Sequence, residues 1–132
     1  MKYLILTYGS QRDFDDLAGR SATPWSQEDV AALHQFMTEF TKDLEETGEL
    51  VETRGLPAPV HTRRVQLVDG APVVTDGPYA ETQEVMAGFW VVDCASYDRA
   101  TELAAKLTRC PGTRLGEYID VRPIVDSIDD LG

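Results

Sequence analysis

The segment Val74-Thr75-Asp76-Gly77-Pro78-Tyr79-Ala80-Glu81-Thr82-Gln83-Glu84 carries three carboxylates and a phenol within nine residues. Pro78 fixes its own φ near about −65° and pushes Gly77 toward extended backbone, so the elbow is stiff. A rigid acidic turn leaving a strand is a setting in which binding and catalytic groups are often found. Asp76, with its pKa raised by burial, could act as a general base. Glu84 or Tyr79 would assist it in a proton transfer or elimination that needs no cofactor. The structural alternative is that Asp76 caps local backbone N–H groups in an Asx turn. Glu81 and Glu84, three apart, share a face on any helical turn and could divide acid and base roles. They could equally cap that turn or face water.

The remaining reactive groups are scattered. His34 lies beside an apolar stripe, where a boundary histidine with one hydrogen bond is the plainer reading than a catalytic one. His61 follows a proline-rich turn and is expected to be exposed. Two isolated histidines lack coordinating spacing, so no metal site is expected. Arg63, Arg64 and Arg122 are the cations placed to balance acidic groups near a sheet or to hold an anion. Trp25, Trp90 and Tyr8 could line an aromatic pocket, although Trp90, in a strand, is first of all core or interface. No glycine-rich phosphate loop, Gly-x-Ser-x-Gly elbow or Cys/His nucleophile pattern is present.

Composition narrows the partners. The 132 residues make one domain, with 42% hydrophobic and 27% charged residues. We read residues 1–125 as that domain and 126–132 as an acidic, partly ordered tail. Twelve basic residues against 23 acidic ones give a net charge of −11. That sign argues against nucleic acid and against a polybasic membrane surface role. Only Tyr3-Leu4-Ile5-Leu6 separates Met1-Lys2 from Thr7, too short for a secretory apolar region. The expectation is a cytoplasmic protein with Cys94 and Cys110 reduced and packed as small hydrophobes.

The elements that must position these groups follow from periodicity. Lys2 to Tyr8 alternates as a strand that is apolar on both faces, with Leu4, Leu6 and Tyr8 on one and Tyr3 and Ile5 on the other. Gly9 to Trp25 is expected to be a long loop with at most a helical turn near Asp13 to Leu17, and such loops are often lids or binding loops. Ser26 caps a helix whose stripe is Val30, Leu33, Met37, Phe40 and Leu44, stopped at Gly48. A strand over Glu49 to Thr53 precedes a hairpin, Arg64–Val68 and Ala71–Thr75, joined by Asp69-Gly70. Met86 to Cys94 is a strand, Asp98 to Thr108 a helix facing inward through Ala100, Leu103, Ala104 and Leu107, and Glu117 to Arg122 the last strand.

Strand, helix, strand, hairpin, strand, helix, strand is a ferredoxin-like α+β βαββαβ order with an inserted hairpin. Two helices cover one face of a four-stranded sheet, yet Tyr3/Ile5 and Leu4/Leu6 supply apolar groups to opposite faces, as do Phe89/Val91 and Trp90/Val92, so one apolar face is left uncovered. Such a surface predicts a homodimer packed sheet to sheet, with a small-molecule ligand in the cleft between copies.

The elbow Asp76-Gly77-Pro78-Tyr79-Ala80-Glu81-Thr82-Gln83-Glu84 resembles the signature of the YCII-related, DGPF-type proteins, with Tyr79 for Phe and Gln83 for Lys. The opening Met1 to Gly9, the run Gly88-Phe89-Trp90-Val91-Val92-Asp93 and the closing Val121-Arg122-Pro123-Ile124 are similar as well. The resemblance spans nearly the whole chain and implies a dimeric ferredoxin-like α/β barrel. A few such relatives are lyases or dehydrochlorinases on small aromatic compounds, using a His–Asp pair. By motif spacing that pair falls at Met37, one turn after His34, and at Cys110, so the dyad is missing here. Association of family members with extracytoplasmic-function sigma factors implies the alternative of a non-catalytic ligand-binding or regulatory accessory protein.

Overall fold

The computed structural model describes residues 1–77, 79–111 and 117–132. Pro78, read above as the stiffener of the elbow, lies outside them. The first strand, β1 (Lys2–Gly9), leads into α1 (Gln11–Leu17) and then α2 (Gln27–Thr47). After β2 (Leu50–Gly55) come β3 (Arg63–Val68) and β4 (Ala71–Asp76). The chain closes with β5 (Val85–Asp93), α3 (Tyr97–Leu107) and β6 (Asp120–Pro123).

The four longer-range strands form one sheet in the order β2-β5-β1-β6, while β3 and β4 pair as a separate two-stranded sheet. All pairings are antiparallel. This α+β arrangement is consistent with a ferredoxin-like fold. Asp69 (φ 50°) and Gly70 (φ 81°) are both left-handed, the geometry of the primed turn that an Asp-Gly pair favours.

The segment from Gly9 to Trp25 holds more helix than its sequence suggests. Ser10 and residues 18–25 are loop as expected, but the helical turn near Asp13 to Leu17 is a capped seven-residue helix, α1. The Ser10 side chain accepts from Asp13 N at 3.2 Å, and the Asp13 carboxylate accepts from Ser10 N at 2.9 Å. These reciprocal bonds satisfy two donors that a seven-residue helix would otherwise leave open. The last strand is also shorter than expected, beginning at Asp120 rather than Glu117.

The core lies between one face of the sheet and α2 and α3. Tyr3, Ile5, Trp90 and Val92 meet Phe40 and Leu44 of α2 and Ala100, Leu103, Ala104 and Leu107 of α3. Phe40 and Trp90 pack edge to face at 5.4 Å between centroids. Cys94 is buried in this layer and Cys110 beside the end of α3, and neither forms a disulfide among the described residues.

A two-pronged ion pair fixes α3 to the start of β2. Arg99 donates from Nε and Nη2 to the two oxygens of Glu49, at 3.0 and 2.8 Å, and the Glu49 side chain is only 14% exposed. The Arg99 hydrogen bonds hold the Glu49 carboxyl below its ordinary range. A depressed carboxyl pKa contributes stability that is complete above the unfolded value, near about 4.3, and is lost as pH falls through the folded one. Glu49→Gln should therefore lower stability at neutral pH, and the gap from the unaltered protein should close on acidification. Urea melts across acid to neutral pH measure this; a gap independent of pH contradicts it.

Candidate functional site

Side chains pointing toward the helices shrink from one end of the sheet to the other. Along β1 they run Tyr3, Ile5, Thr7, and along β5 they run Val92, Trp90, Gly88, with Thr7 paired to Gly88. On β2, Thr53 pairs with Trp90 and Gly55 with Gly88. Between Thr7 and Tyr8 the register shifts, leaving Ala87 as an extra residue in β5. Two glycines and a bulge therefore leave a patch of nearly bare backbone beneath the helices.

Above this patch lies a cavity of about 320 Å³, at the lower end of the range for small-molecule sites. Thr7, Gly55, Ala87 and Gly88 form its floor. Its walls are Phe14 and Leu17 of α1, Trp25 from the connection, and Leu33 and Met37 of α2, with Trp90 at the inner end. Leu107, Cys110 and Ile119 close the back, and Asp13, His34, Thr41, Thr53 and Arg54 supply polar atoms.

Many of those polar atoms already have partners. Thr7 donates to Gly88 O at 3.2 Å and Thr53 to Phe89 O at 3.0 Å. The Trp90 indole donates to Thr41 Oγ1 at 3.4 Å. Burial pushes the Cys110 thiol up to about 11, so it stays protonated at neutral pH. The Arg54 guanidinium donates to Thr53 O and lies 3.3 Å from Glu52.

The elbow groups lie elsewhere. Asp76, at the end of β4, is 83% exposed in its side chain and sits 3.7 Å from Arg63. Tyr79 lies under the Arg64 guanidinium, 4.7 Å from the ring centre. Glu84 accepts a 2.5 Å hydrogen bond from Tyr118, which raises that phenol to about 12. Glu81 is 3.9 Å from Arg12. Each carboxylate or ring of the elbow thus has its own partner, and none of them borders the cavity. Of the three aromatic residues expected to line a pocket, Trp25 and Trp90 do so. Tyr8 instead donates to Asp120 at 2.6 Å and packs on Tyr118.

A family model described as the YCII-related domain matches residues 1–126. The chain belongs to the YCII-related family. It is 30% identical over 125 residues to the uncharacterized protein R00369 of Rhizobium meliloti (strain 1021), covering 94% of this chain and 92% of that one. In this YCII-related protein Met37 and Cys110, the positions where the resemblance placed a His–Asp pair, both border the cavity. They bring a thioether and a neutral thiol in place of an acid and a base. Among the described residues no group of three or more His, Cys, Asp or Glu is arranged to hold a metal.

The floor predicts opposite responses at its two glycines. A Cβ on Gly88 would stand 3.0 Å from Arg54 O, whereas one on Gly55 meets nothing within 4 Å. Gly88→Ala should destabilise by about 1–3 kcal/mol through overpacking. Gly55→Ala should be neutral, or stabilise by up to about 1 kcal/mol through the unfolded chain. Urea denaturation of the two variants checks the contrast, and equal effects contradict it.

Proposed function

We propose that this YCII-related protein binds a compact organic molecule with a largely apolar body in the cavity between α1, α2 and the sheet. The observation that carries this reading is the floor of Gly55, Ala87 and Gly88 facing Phe14, Trp25 and Trp90 across about 320 Å³. Apolar walls with a few convergent polar groups are the usual composition of a ligand site. The position of Met37 and Cys110 at the same cavity adds to it, since the family resemblance pointed to those two places. Binding is the reading these two positions support, because Met37 and Cys110 do not supply the acid and base of a His–Asp pair at neutral pH.

An aromatic hydrocarbon alcohol such as 2-naphthalenemethanol is a suitable probe. Gly55→Leu, which builds into the open space over the floor, should weaken its binding by about tenfold or more. Asp76→Asn, in the elbow, should leave affinity within about twofold. Isothermal titration checks both. Loss of binding in Asp76→Asn with retention in Gly55→Leu would move the site to the elbow.

We further propose that two copies associate through sheet faces. Leu4, Phe89 and Val91, all half-buried, lie on the face turned away from the core beside Leu6, which the single chain already buries; Glu52 and Arg54 on β2 and Asp120 and Arg122 on β6 flank them. In the hairpin, Val65 pairs with Val74 and Leu67 with Pro72, while Val65 and Leu67 are 63% and 76% exposed. A lone two-stranded hairpin is marginal in water, so such a strip favours cover by another copy. Light scattering at micromolar concentration should give twice the chain mass, and Leu4→Asp should reduce it to one chain. A monomeric unaltered protein contradicts this assembly.

A further inference from the structure

The polar groups around the cavity are mostly acceptors. Thr7 and Thr53 use their hydroxyl hydrogens on the carbonyls of Gly88 and Phe89, so each offers a ligand lone pairs. The Trp90 N–H is engaged by Thr41. Arg54 O lies 3.0 Å from where a Gly88 Cβ would stand, so the backbone of β2 closes tightly on the floor. Asp13 borders the cavity, and Ser10 N holds its Oδ2 at 2.9 Å in the α1 capping box. Its Oδ1 takes part in no hydrogen bond among the described residues.

Among the described residues, the arginines and the lysine of α1, α2 and β2 each have an acidic neighbour. Arg12 of α1 faces Glu81 at 3.9 Å, Arg54 of β2 faces Glu52 at 3.3 Å, and Lys42 of α2 faces Glu46 at 3.9 Å. Among the described residues, the Trp25 indole, His34 and the Thr41 hydroxyl hydrogen are cavity donors with no acceptor.

We infer that the cavity selects an apolar or aromatic body bearing a protonated amine, and disfavours a carboxylate of the same shape. This rests on the cavity being the ligand site. An ammonium head has Asp13 Oδ1 as counter-charge, the Thr7 and Thr53 oxygens as acceptors, and the rings of Phe14, Trp25 and Trp90 as cation–π partners. A carboxylate head would lose water beside Asp13, and the described cavity residues include only Arg54 as a cation, which is already engaged by Glu52; such a loss is costly in an apolar enclosure. The acidic balance of the chain, 23 acidic residues against 12 basic ones, favours approach of the same cations.

Three probes with one body separate this inference from the site itself: 2-naphthylmethylamine, 2-naphthalenemethanol and 2-naphthoate, titrated calorimetrically at neutral pH. The amine should bind at least about tenfold more tightly than the carboxylate, with the alcohol between them. Asp13→Asn keeps an acceptor for Ser10 N, so α1 should stay capped, which a thermal melt verifies. That variant should bring the amine to the alcohol's affinity and leave the alcohol unchanged. If all three bind alike and Gly55→Leu abolishes all three, the cavity is the site and the charge selection is wrong. If none binds at millimolar concentration, the site and the selection both fall. If the amine binds best but Asp13→Asn has no effect on it, Asp13 is not the counter-charge and the inference is overturned.

Discussion

The architecture depends on a steric gradient along the inner face of the sheet. At one end, Tyr3, Ile5, Trp90 and Val92 fill the space under α2 and α3, and the edge-to-face contact of Trp90 with Phe40 sets how closely α2 can approach. At the other end Gly55 and Gly88 offer nothing for a helix to rest on. The tightness of native interiors means a rigid helix held off by Trp90 cannot also descend onto bare backbone a few residues away. A void is the consequence, and α1 with Trp25 walls it rather than filling it.

Much of this was readable from the chain, and the part that was not has a definite cause. The stripe of α3 and the caps of α2 are local signals. Ala100, Leu103, Ala104 and Leu107 are all buried, while Ser26 and Gly48 stand at the two ends of α2 as their chemistry requires. The cavity has no local signal, because Gly55 and Gly88 become neighbours only through strand pairing. Gly88 on its own reads as one more residue in an apolar strand. The nearest hint was compositional: a 17-residue segment, Gly9 to Trp25, too long for an idle connection and ending in a tryptophan. Its helix α1 was obscured because Asp13, Asp15 and Asp16 read as loop, although the first of them closes a capping box.

The acidic elbow illustrates the converse. Its stiffness and its carboxylates are plain in the sequence, but what a turn faces is decided by the rest of the fold. Asp76 lies opposite Arg63 across the β3–β4 pair, and Glu84 accepts from Tyr118 in the segment leading to β6. These contacts tie the hairpin and the last strand to the elbow. A carboxylate engaged by a phenol or a guanidinium at the surface has much of its interaction satisfied before any ligand arrives. The acidic chain thus places its charge mostly outside, and the small share of polar groups at the cavity carries the selectivity.

Xenon enters dry apolar cavities and is visible in a crystal, so a xenon-pressurised crystal of the protein tests the steric gradient most directly. The account predicts a xenon peak between Gly88, Met37 and Trp25, with α2 held above the floor by Trp90. A structure in which α2 rests on Gly55 and Gly88, leaving no room for the atom, would contradict it.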